Sequence, residues 1–306
     1  MGETTGTTYP RFAAVNGLTT IVTLAIGAPI AIGVGVVWGI PTHAIVGLVV
    51  MAALAGFGVT LGLHRLFTHR SFTTPRPIEW GLMVLGCVAG QAPPFSWVAT
   101  HRKHHKHSDA TDDPHSPHTC GGRQLGFIRG FWHAHMGWTR GGSGYDASAI
   151  RDLTRRPDLA WIDRYWYVWY GLGLLAPAAV GYLIGGTAYD ALIGFLWGGL
   201  LRHAATEQST CAVNSVCHVW GLRPYQTADQ SRNSWLLGLL ALGEGWHNNH
   251  HAFPYSARHG LHWWQPDTSW CVIWSMERLG LAWRVRRPVL PDHKLVEPEQ
   301  PIAKAG

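Results

Sequence analysis

Three short histidine clusters are the part of this sequence whose residue types and spacing could do chemistry. They hold eight of the 19 histidines in the chain. Neutral imidazole is the commonest metal ligand among protein side chains, and eight imidazoles exceed the four ligands of a zinc site. The clusters therefore predict a centre of two metal ions. The predicted ligands are His64, His69, His101, His104, His105, His247, His250 and His251.

The spacing within each cluster predicts how its imidazoles converge. In the second and third clusters the histidines stand at i, i+3 and i+4, and these positions share one face of a helix. The first pair, His64 and His69, is separated by five residues. On an ideal α-helix such a pair points about 140° apart. We therefore expect the chain to unwind or turn near Thr68 and Ser71, because hydroxyl side chains favour turns.

The residues around the clusters narrow the kind of metal site. Imidazole suits Zn, Cu, Fe and Ni alike, so the ligands alone do not decide the metal. No cysteine lies inside a cluster, which disfavours a structural zinc site or an iron–sulfur cluster. Only one Glu-x-x-His pair occurs at this centre, Glu244 and His247, whereas carboxylate-rich di-iron bundles use two. We expect Glu244 to orient an imidazole or a bound water from outside the ligand shell.

Long charge-free runs predict the helices that position these clusters. No Asp, Glu, Lys or Arg occurs between Arg11 and Arg65, and Pro41 divides that run. A second apolar region is divided by a turn at Gly186. Stretches of about 20 apolar residues can cross a bilayer. The sequence therefore predicts an all-α integral membrane fold with four transmembrane helices in two hairpins, over 14–38, 42–63, 165–185 and 190–212. We expect 80–100 to form a buried or interfacial helix.

The distribution of basic residues predicts the orientation of the chain. The net charge is +6, yet the short connections near 39–42 and 185–190 contain no Lys or Arg. By the positive-inside rule, the opposite face is cytoplasmic. We predict one membrane domain over 1–306, with a cytosolic helical cap at 64–164 and 213–290 and a loose tail at 291–306. No soluble basic domain is present for nucleic acid. The C-terminal sequence carries no ER-retention signal, which favours a bacterial plasma membrane.

These motifs resemble those of the integral-membrane acyl-CoA desaturases of the stearoyl-CoA type. The likeness covers roughly 42–287 and includes the three sequence clusters in order. We call these clusters the first, second and third histidine boxes. It extends to an Asn-x3-His element, Asn214 and His218, and to Phe253-Pro254-Tyr255 after the third box. The resemblance implies two irons held by nine histidines, with His218 as the ninth. It also implies that Asn214 binds the second iron through a water. Zinc would fit the same nitrogens.

The resemblance also implies where the substrate lies and where this chain departs from the family. Gln91, Trp97 and Thr210 match residues that line the kink of the acyl tunnel. The family usually has Arg-Asp just before the second box, whereas this chain has Ala99-Thr100. A polar residue that follows Gln91 in the family is replaced by Ala92. The acyl carrier therefore stays open between coenzyme A, acyl carrier protein and a lipid.

The activity implied by the resemblance is an O2-dependent acyl desaturase that inserts a cis double bond at the ninth carbon. The sequence has no flavin or nicotinamide fingerprint, so a separate ferredoxin, rubredoxin, cytochrome b5 or flavin reductase must supply two electrons. A related membrane di-iron hydroxylase of acyl chains, alkanes or sterols is the alternative. A histidine-rich metal transporter is disfavoured, because transport requires polar ligands near the bilayer midplane, and these clusters lie at the membrane boundary.

The remaining histidines and the cysteines have plainer predictions. Arg202, His203 and Glu207 share one span and are expected to form a buried polar network beside the tunnel. The five cysteines show no C-x-x-C pairing and are predicted to be free thiols. Five further histidines lie within residues 101–164, and we expect their side chains to lie beside the site or on the surface. This group consists of His107, His115, His118, His133 and His135.

Overall fold

The structure, a computed structural model, describes residues 19–140 and 145–289, and most of these residues are helical. This agrees with the predicted all-α class. The helices are α1 (Thr19–Trp38), α2 (Thr42–Thr68), α3 (Arg76–Ala89), α4 (Pro94–His107), α5 (Phe127–His135), α6 (Pro157–Arg164), α7 (Trp166–Gly185), α8 (188–216), α9 (Trp235–Leu240), α10 (His247–Ala252) and α11 (Thr268–Arg278).

Short elements complete the described part of the chain. Two strands, β1 (Thr119–Cys120) and β2 (Arg123–Gln124), pair antiparallel. Helical turns cover Gly137–Arg140, Ala147–Ile150 and Arg151–Thr154. All five cysteines are free thiols, as predicted.

Three helices, α1, α2 and α7, are long and apolar enough to cross a membrane. The pair α3 and α4 is bent by 86° and gives a fourth candidate if the pair counts as one span. The predicted span 190–212 lies inside α8, which carries Asp190, Arg202 and Glu207 and is not among the helices that qualify. The four-span topology therefore stays a prediction. Residues 14–18 of the first predicted span and the tail 291–306 lie outside the described residues.

The end of α2 changes helix type, and this change brings the first histidine pair to one side of the helix. The sequence predicts that the helix unwinds or turns here, and Gly58–Thr68 forms a π-helical segment, which is wound less tightly than an α-helix. A π-helix bonds residue i to i+5, and the His69 amide donates to the His64 carbonyl at 3.1 Å. The two imidazoles therefore lie on the same side of α2, with ring centroids 4.8 Å apart.

Glycines allow α2 and α3 to approach closely beside this segment. A Cβ at Gly58 would lie 2.2 Å from the carbonyl carbon of Leu85, and one at Gly62 would lie 2.8 Å from the Leu82 oxygen. No larger side chain fits these distances without moving the backbone. Every residue of Gly58–Thr68 is buried, including Arg65.

The bend between α3 and α4 divides the predicted helix at 80–100 into two. α3 ends at Gly90, whose φ of +75° lies in the left-handed region that glycine adopts without strain. Pro94 then begins α4, where a proline suits the first turn because its missing N–H has no partner there. The bend places Gln91 between the two helices and directs α4, with the second histidine box, away from α3.

The cap fixes the third histidine box through buried amide side chains. Asn233 forms isolated β-bridges with Leu222 and Trp246. Its Oδ1 accepts hydrogen bonds from the backbone amides of Asn248 and Asn249, at 2.9 and 3.2 Å. These amides lie in the first turn of α10, where helical N–H groups lack internal partners. A distant loop therefore holds the start of α10 in place.

Candidate metal centre

Five histidines from three helices form one cluster, which we call the five-histidine cluster. Its members are His64, His69, His101, His105 and His250. The Nε2 atoms of His64 and His250 lie 3.1 Å apart, those of His250 and His105 2.9 Å apart, and those of His105 and His101 3.1 Å apart. The ring nitrogens therefore converge on one small volume.

Four further histidines form the neighbouring four-histidine cluster. Its members are His104, His218, His247 and His251. The Nε2 atoms of His218 and His247 lie 3.0 Å apart. The two clusters adjoin, because the rings of His105 and His251 stack with centroids 4.6 Å apart.

The nitrogen positions fit metal ligands. With metal–nitrogen bonds of about 2.1 Å, ligands at right angles place their nitrogens about 3 Å apart, as in both clusters. The Nε2 atoms of His69, His104 and His251 are buried and lack a hydrogen-bond partner among the described residues. Buried polar atoms are rarely left unpaired, and a metal would satisfy these three. Each of the two clusters could therefore hold one metal ion.

Each of the later histidine boxes divides between the two clusters. His101 and His105, four residues apart, enter the five-histidine cluster, whereas His104 points to the other. In α10 the division is reversed: His250 joins the five-histidine cluster, while His247 and His251 join the four-histidine cluster. The sequence spacing predicts one shared face, and the structure shows that this face serves two neighbouring volumes.

Three aspartates support the four-histidine cluster from outside. Asp109 Oδ2 lies 2.9 Å from His218 Nδ1, Asp113 Oδ1 lies 3.0 Å from His104 Nδ1, and Asp229 Oδ2 lies 2.7 Å from His251 Nδ1. A carboxylate at Nδ1 fixes the ring orientation and leaves Nε2 free to bind a metal. Burial alone would raise the pKa of the Asp109 carboxyl, but the charge and hydrogen bond of His218 hold it well below its usual value.

One carboxylate supports the five-histidine cluster. Glu244 Oε2 lies 2.7 Å from His64 Nδ1, as expected of a residue that orients an imidazole. Its other oxygen, Oε1, lies 3.2 Å from Nη2 of Arg65, a guanidinium with no exposed surface. Arg65 also binds Asp267 at 3.0 Å. His259 Nδ1 lies 3.3 Å from Glu244 Oε2, so Glu244 is shared among three partners.

The sequence reasoning missed the roles of Arg65, His259 and Asp267. Arg65 carried a signal, because it is the first charge after a long charge-free run and directly follows His64. Asp109 and Asp113 follow the second box closely and were available as partners of its histidines. His259 and Asp267 gave no local signal for their contacts with Arg65, because Arg65 lies about 200 positions away in the chain.

Burial keeps the imidazoles of the third box in the form that binds metals. Burial, together with repulsion from neighbouring imidazoles, lowers the pKa of His247 and of His250 well below the usual range. Both rings are therefore neutral at physiological pH. Neutral imidazole offers the lone pair that a metal needs.

An apolar cavity of about 750 Å³ reaches the metal centre. His64, His101 and His247 line one part of it, so the cavity touches both clusters. The cavity extends along α2 to Leu48 and Val49. Its volume falls within the usual range for a small-molecule site, about 300–1,000 Å³.

The three residues predicted to line the cavity form one hydrogen-bonded group. Gln91 Nε2 donates to Thr210 Oγ1 at 2.7 Å, and Trp97 Nε1 donates to Gln91 Oε1 at 3.1 Å. All three line the cavity, together with Asn214. Asn214 lies on α8 one turn before His218, and its role as a ligand through water stays a prediction.

The polar network expected beside the cavity is present in α8. His203 Nε2 lies 3.4 Å from Glu207 Oε2, and Thr20 donates to Glu207 Oε1 at 2.5 Å. Arg202 instead donates to backbone carbonyls, including that of Val88 at 2.9 Å. The network joins α1, α3 and α8.

Three histidines of the 101–164 block reach the site from outside. His115 is buried, with its ring centroid 4.2 Å from that of His104. His118 contacts the His218 carbonyl at 3.0 Å, and His135 contacts Ser215 at 2.9 Å. These positions agree with the expectation that such histidines lie beside the site.

A histidine centre of this geometry beside an apolar cavity can be compared with known proteins. The fatty acid desaturase family model matches residues 40–297. The chain belongs to the fatty acid desaturase family. Desaturases of this family are O2-dependent oxidoreductases that act on fatty acyl substrates, so this chain is an enzyme of that class.

Three similar relatives, one named an acetylenase and two named desaturases, act on different acyl carriers according to their names. A hex-5-enoyl acyl-carrier-protein acetylenase of Moorena producens (strain JHB) is 41% identical over 86% of this chain and 83% of its own. An sn-1 stearoyl-lipid 9-desaturase of Anabaena variabilis is 40% identical over 76% of this chain and 79% of its own. An acyl-CoA C20 Delta5-desaturase of Anemone leveillei is 41% identical over 76% of this chain and 70% of its own.

Proposed function

We propose that this desaturase inserts a cis double bond at the ninth carbon of a saturated acyl thioester, using O2, two irons and two electrons from a separate donor. The observation that carries the proposal is that one apolar cavity touches both histidine clusters. A chain in this cavity would lie against the metals. The names of two relatives that desaturate a lipid-bound or CoA-bound acyl chain support the reaction type.

The chain's own residues fit two irons. We assign the five-histidine cluster to one iron and the four-histidine cluster to the other, with Asn214 holding a water at the second. Zinc could occupy the same nitrogens in a given preparation. When bound, the irons supply the O2 chemistry that removes hydrogen from an unactivated methylene. Glu244 holds His64 in the orientation that this requires.

The cavity positions the acyl chain and excludes water from it. Gln91, Trp97 and Thr210 form a fixed polar contact in an otherwise mainly apolar wall, and we assign them to the kink of the bound chain. A kink at a fixed place determines which carbons face the irons, and orientation of this kind accounts for a large part of enzymatic rate enhancement. The apolar walls exclude water, which limits side reactions.

The acyl carrier is the group to which the fatty acyl chain is attached. We propose coenzyme A first, with acyl carrier protein or a lipid as the other carriers. Ala92, Ala99 and Thr100 offer no charge to a nucleotide head group, and Thr100 lies at the cavity. The three named relatives divide among the three carriers. The reconstitution experiment below therefore compares all three.

The membrane placement follows from the distribution of charge. We propose a multi-pass protein of a bacterial plasma membrane, a single domain whose histidine-rich cap faces the cytoplasm. The absence of Lys and Arg from the connections near 39–42 and 185–190 supports this orientation. A cytoplasmic ferredoxin, rubredoxin, cytochrome b5 or flavin reductase could then deliver electrons to the same face.

Reconstitution of the full chain tests the function. The purified protein, in lipid nanodiscs, receives iron, a reductant, O2 and a stearoyl chain on coenzyme A, acyl carrier protein or a glycerolipid. Mass spectrometry of the released acyl chain then reports the reaction. Loss of two hydrogens, with the double bond at the ninth carbon, is the expected result with at least one carrier.

Other products would select other activities. Gain of one oxygen would overturn the proposal and select the hydroxylase. A parallel reaction with an enoyl chain tests for a triple bond, because one relative is named an acetylenase. A triple bond from the enoyl chain with no product from stearoyl substrates would replace the proposed activity. Boiled protein with the same iron and reductant controls for chemistry in free solution.

A further inference from the structure

The two histidine clusters differ in the charge that surrounds them. The four-histidine cluster has three carboxylates at its imidazoles: Asp109, Asp113 and Asp229. Among the described side chains, no Lys or Arg forms an ion pair with any of the three. Arg223 donates to the backbone oxygen of Asp229.

The five-histidine cluster has a less negative surrounding. Glu244 is its one carboxylate at an imidazole, and Arg65 binds both Glu244 and Asp267. One cation against these two anions leaves a net charge of −1, compared with −3 for the three aspartates of the other cluster. This count does not depend on which atom of a histidine–carboxylate pair carries the shared proton. The difference of two charges is therefore a property of the fold.

We propose that this difference makes the two metals unequal, so that iron in the four-histidine cluster stays oxidised while iron in the five-histidine cluster accepts the first electron. The proposal rests on the two irons of the proposed function. Negative charge stabilises the ion of higher positive charge, and net charge and hydrogen bonds around a metal set its reduction potential. An imidazole that binds a metal is neutral, so the surrounding charge decides the order.

Arg65 is the residue that maintains the charge difference between the two clusters. Its guanidinium is fully buried, directly follows His64 in the chain and donates to the Ala257 carbonyl at 2.8 Å as well as to the two carboxylates. Without its positive charge, the full charge of Glu244 and Asp267 would act on the five-histidine cluster. We assign to Arg65 the role of keeping the potential of that cluster high.

Stepwise reduction of the full-length, iron-loaded protein in nanodiscs tests the proposal. Dithionite adds one electron to one ferric ion at each step, and no protein bond forms or breaks. Mössbauer spectra count ferric and ferrous ions during the titration. The expected result is two separate steps in the wild-type protein. Asp109→Asn should raise the potential of the harder step alone, and Arg65→Gln should lower that of the easier step alone.

Matched variants keep this test decisive. Asp158→Asn makes the same chemical change at a surface carboxylate paired with Arg156, and both potentials should stay unchanged. Arg65→Lys retains the charge and should leave the easier step in place. If Arg65→Gln does not fold, Asp229→Asn repeats the test at the other cluster. A single two-electron step, or a shift of the easier step in both aspartate variants, would overturn the proposal.

Failure of this proposal is separable from failure of the proposed function. Iron content, measured on the same samples, should be two ions per chain. Two ions with equal potentials would refute the unequal sites and leave the desaturase proposal standing. Wild-type protein that folds but binds no iron would refute both.

Discussion

The histidine clusters and the cavity wall are built on different principles. Four of the nine clustered imidazoles have a carboxylate oxygen within 3.0 Å of Nδ1. The cavity instead is lined mainly by apolar side chains, with Gln91 at the centre of its described hydrogen-bonded group. Directional bonds determine the position of each imidazole, whereas volume determines where an acyl chain lies. Changes in the two regions should therefore produce different defects.

The largest effect is expected from removing a predicted metal ligand at the centre of the five-histidine cluster. His250→Ala removes the imidazole whose Nε2 lies within 3.1 Å of both His64 and His105. We expect turnover to be abolished and iron content to fall, as measured by product mass and elemental analysis. His262→Ala is the matched control, because His262 is exposed and stacks on Trp264 outside both clusters. Retention of both iron and turnover in His250→Ala would contradict the site assignment.

Filling the cavity should separate the two regions. Ala53→Phe places a ring in the cavity wall on α2, away from both clusters. We expect stearoyl turnover to fall about a hundredfold, since a misplacement of about 1 Å at the reacting carbon can cost that much. Iron content should equal that of the wild type. Ala53→Val is the milder control. Loss of iron in Ala53→Phe would show that the two regions are not independent.

The smallest effect is expected at the polar group of the cavity. Gln91→Leu removes the acceptor of the Trp97 indole and the donor to the Thr210 hydroxyl, at a cost of about 1–3 kcal/mol. Because the kink is then less fixed, we expect products with the double bond spread over neighbouring carbons and a several-fold lower rate. Chromatography with mass spectrometry resolves the positions. An unchanged product pattern would remove Gln91 from the substrate contacts.

The sequence predicted what local spacing encodes. The i, i+3, i+4 boxes placed imidazoles on helix faces, and the charge-free runs placed α1, α2 and α7. The division of each box between two clusters was not predictable, because it depends on how α4 and α10 are turned towards each other. The contacts of Arg65 with Glu244 and Asp267 join residues far apart in the chain and leave no trace in local periodicity.

The π-helical end of α2 does not tolerate the insertion or deletion of a residue. Each residue of the segment Gly58–Thr68 is buried, so neither flank can slip without cost. A one-residue deletion between Gly58 and Leu63 that restored ordinary α-helical pitch would keep the five-residue spacing and leave His64 and His69 about 140° apart. Substitutions are thus easier to accommodate here than changes of length. In a related sequence, an alignment gap within this segment would indicate loss of the metal centre more clearly than many side-chain differences would.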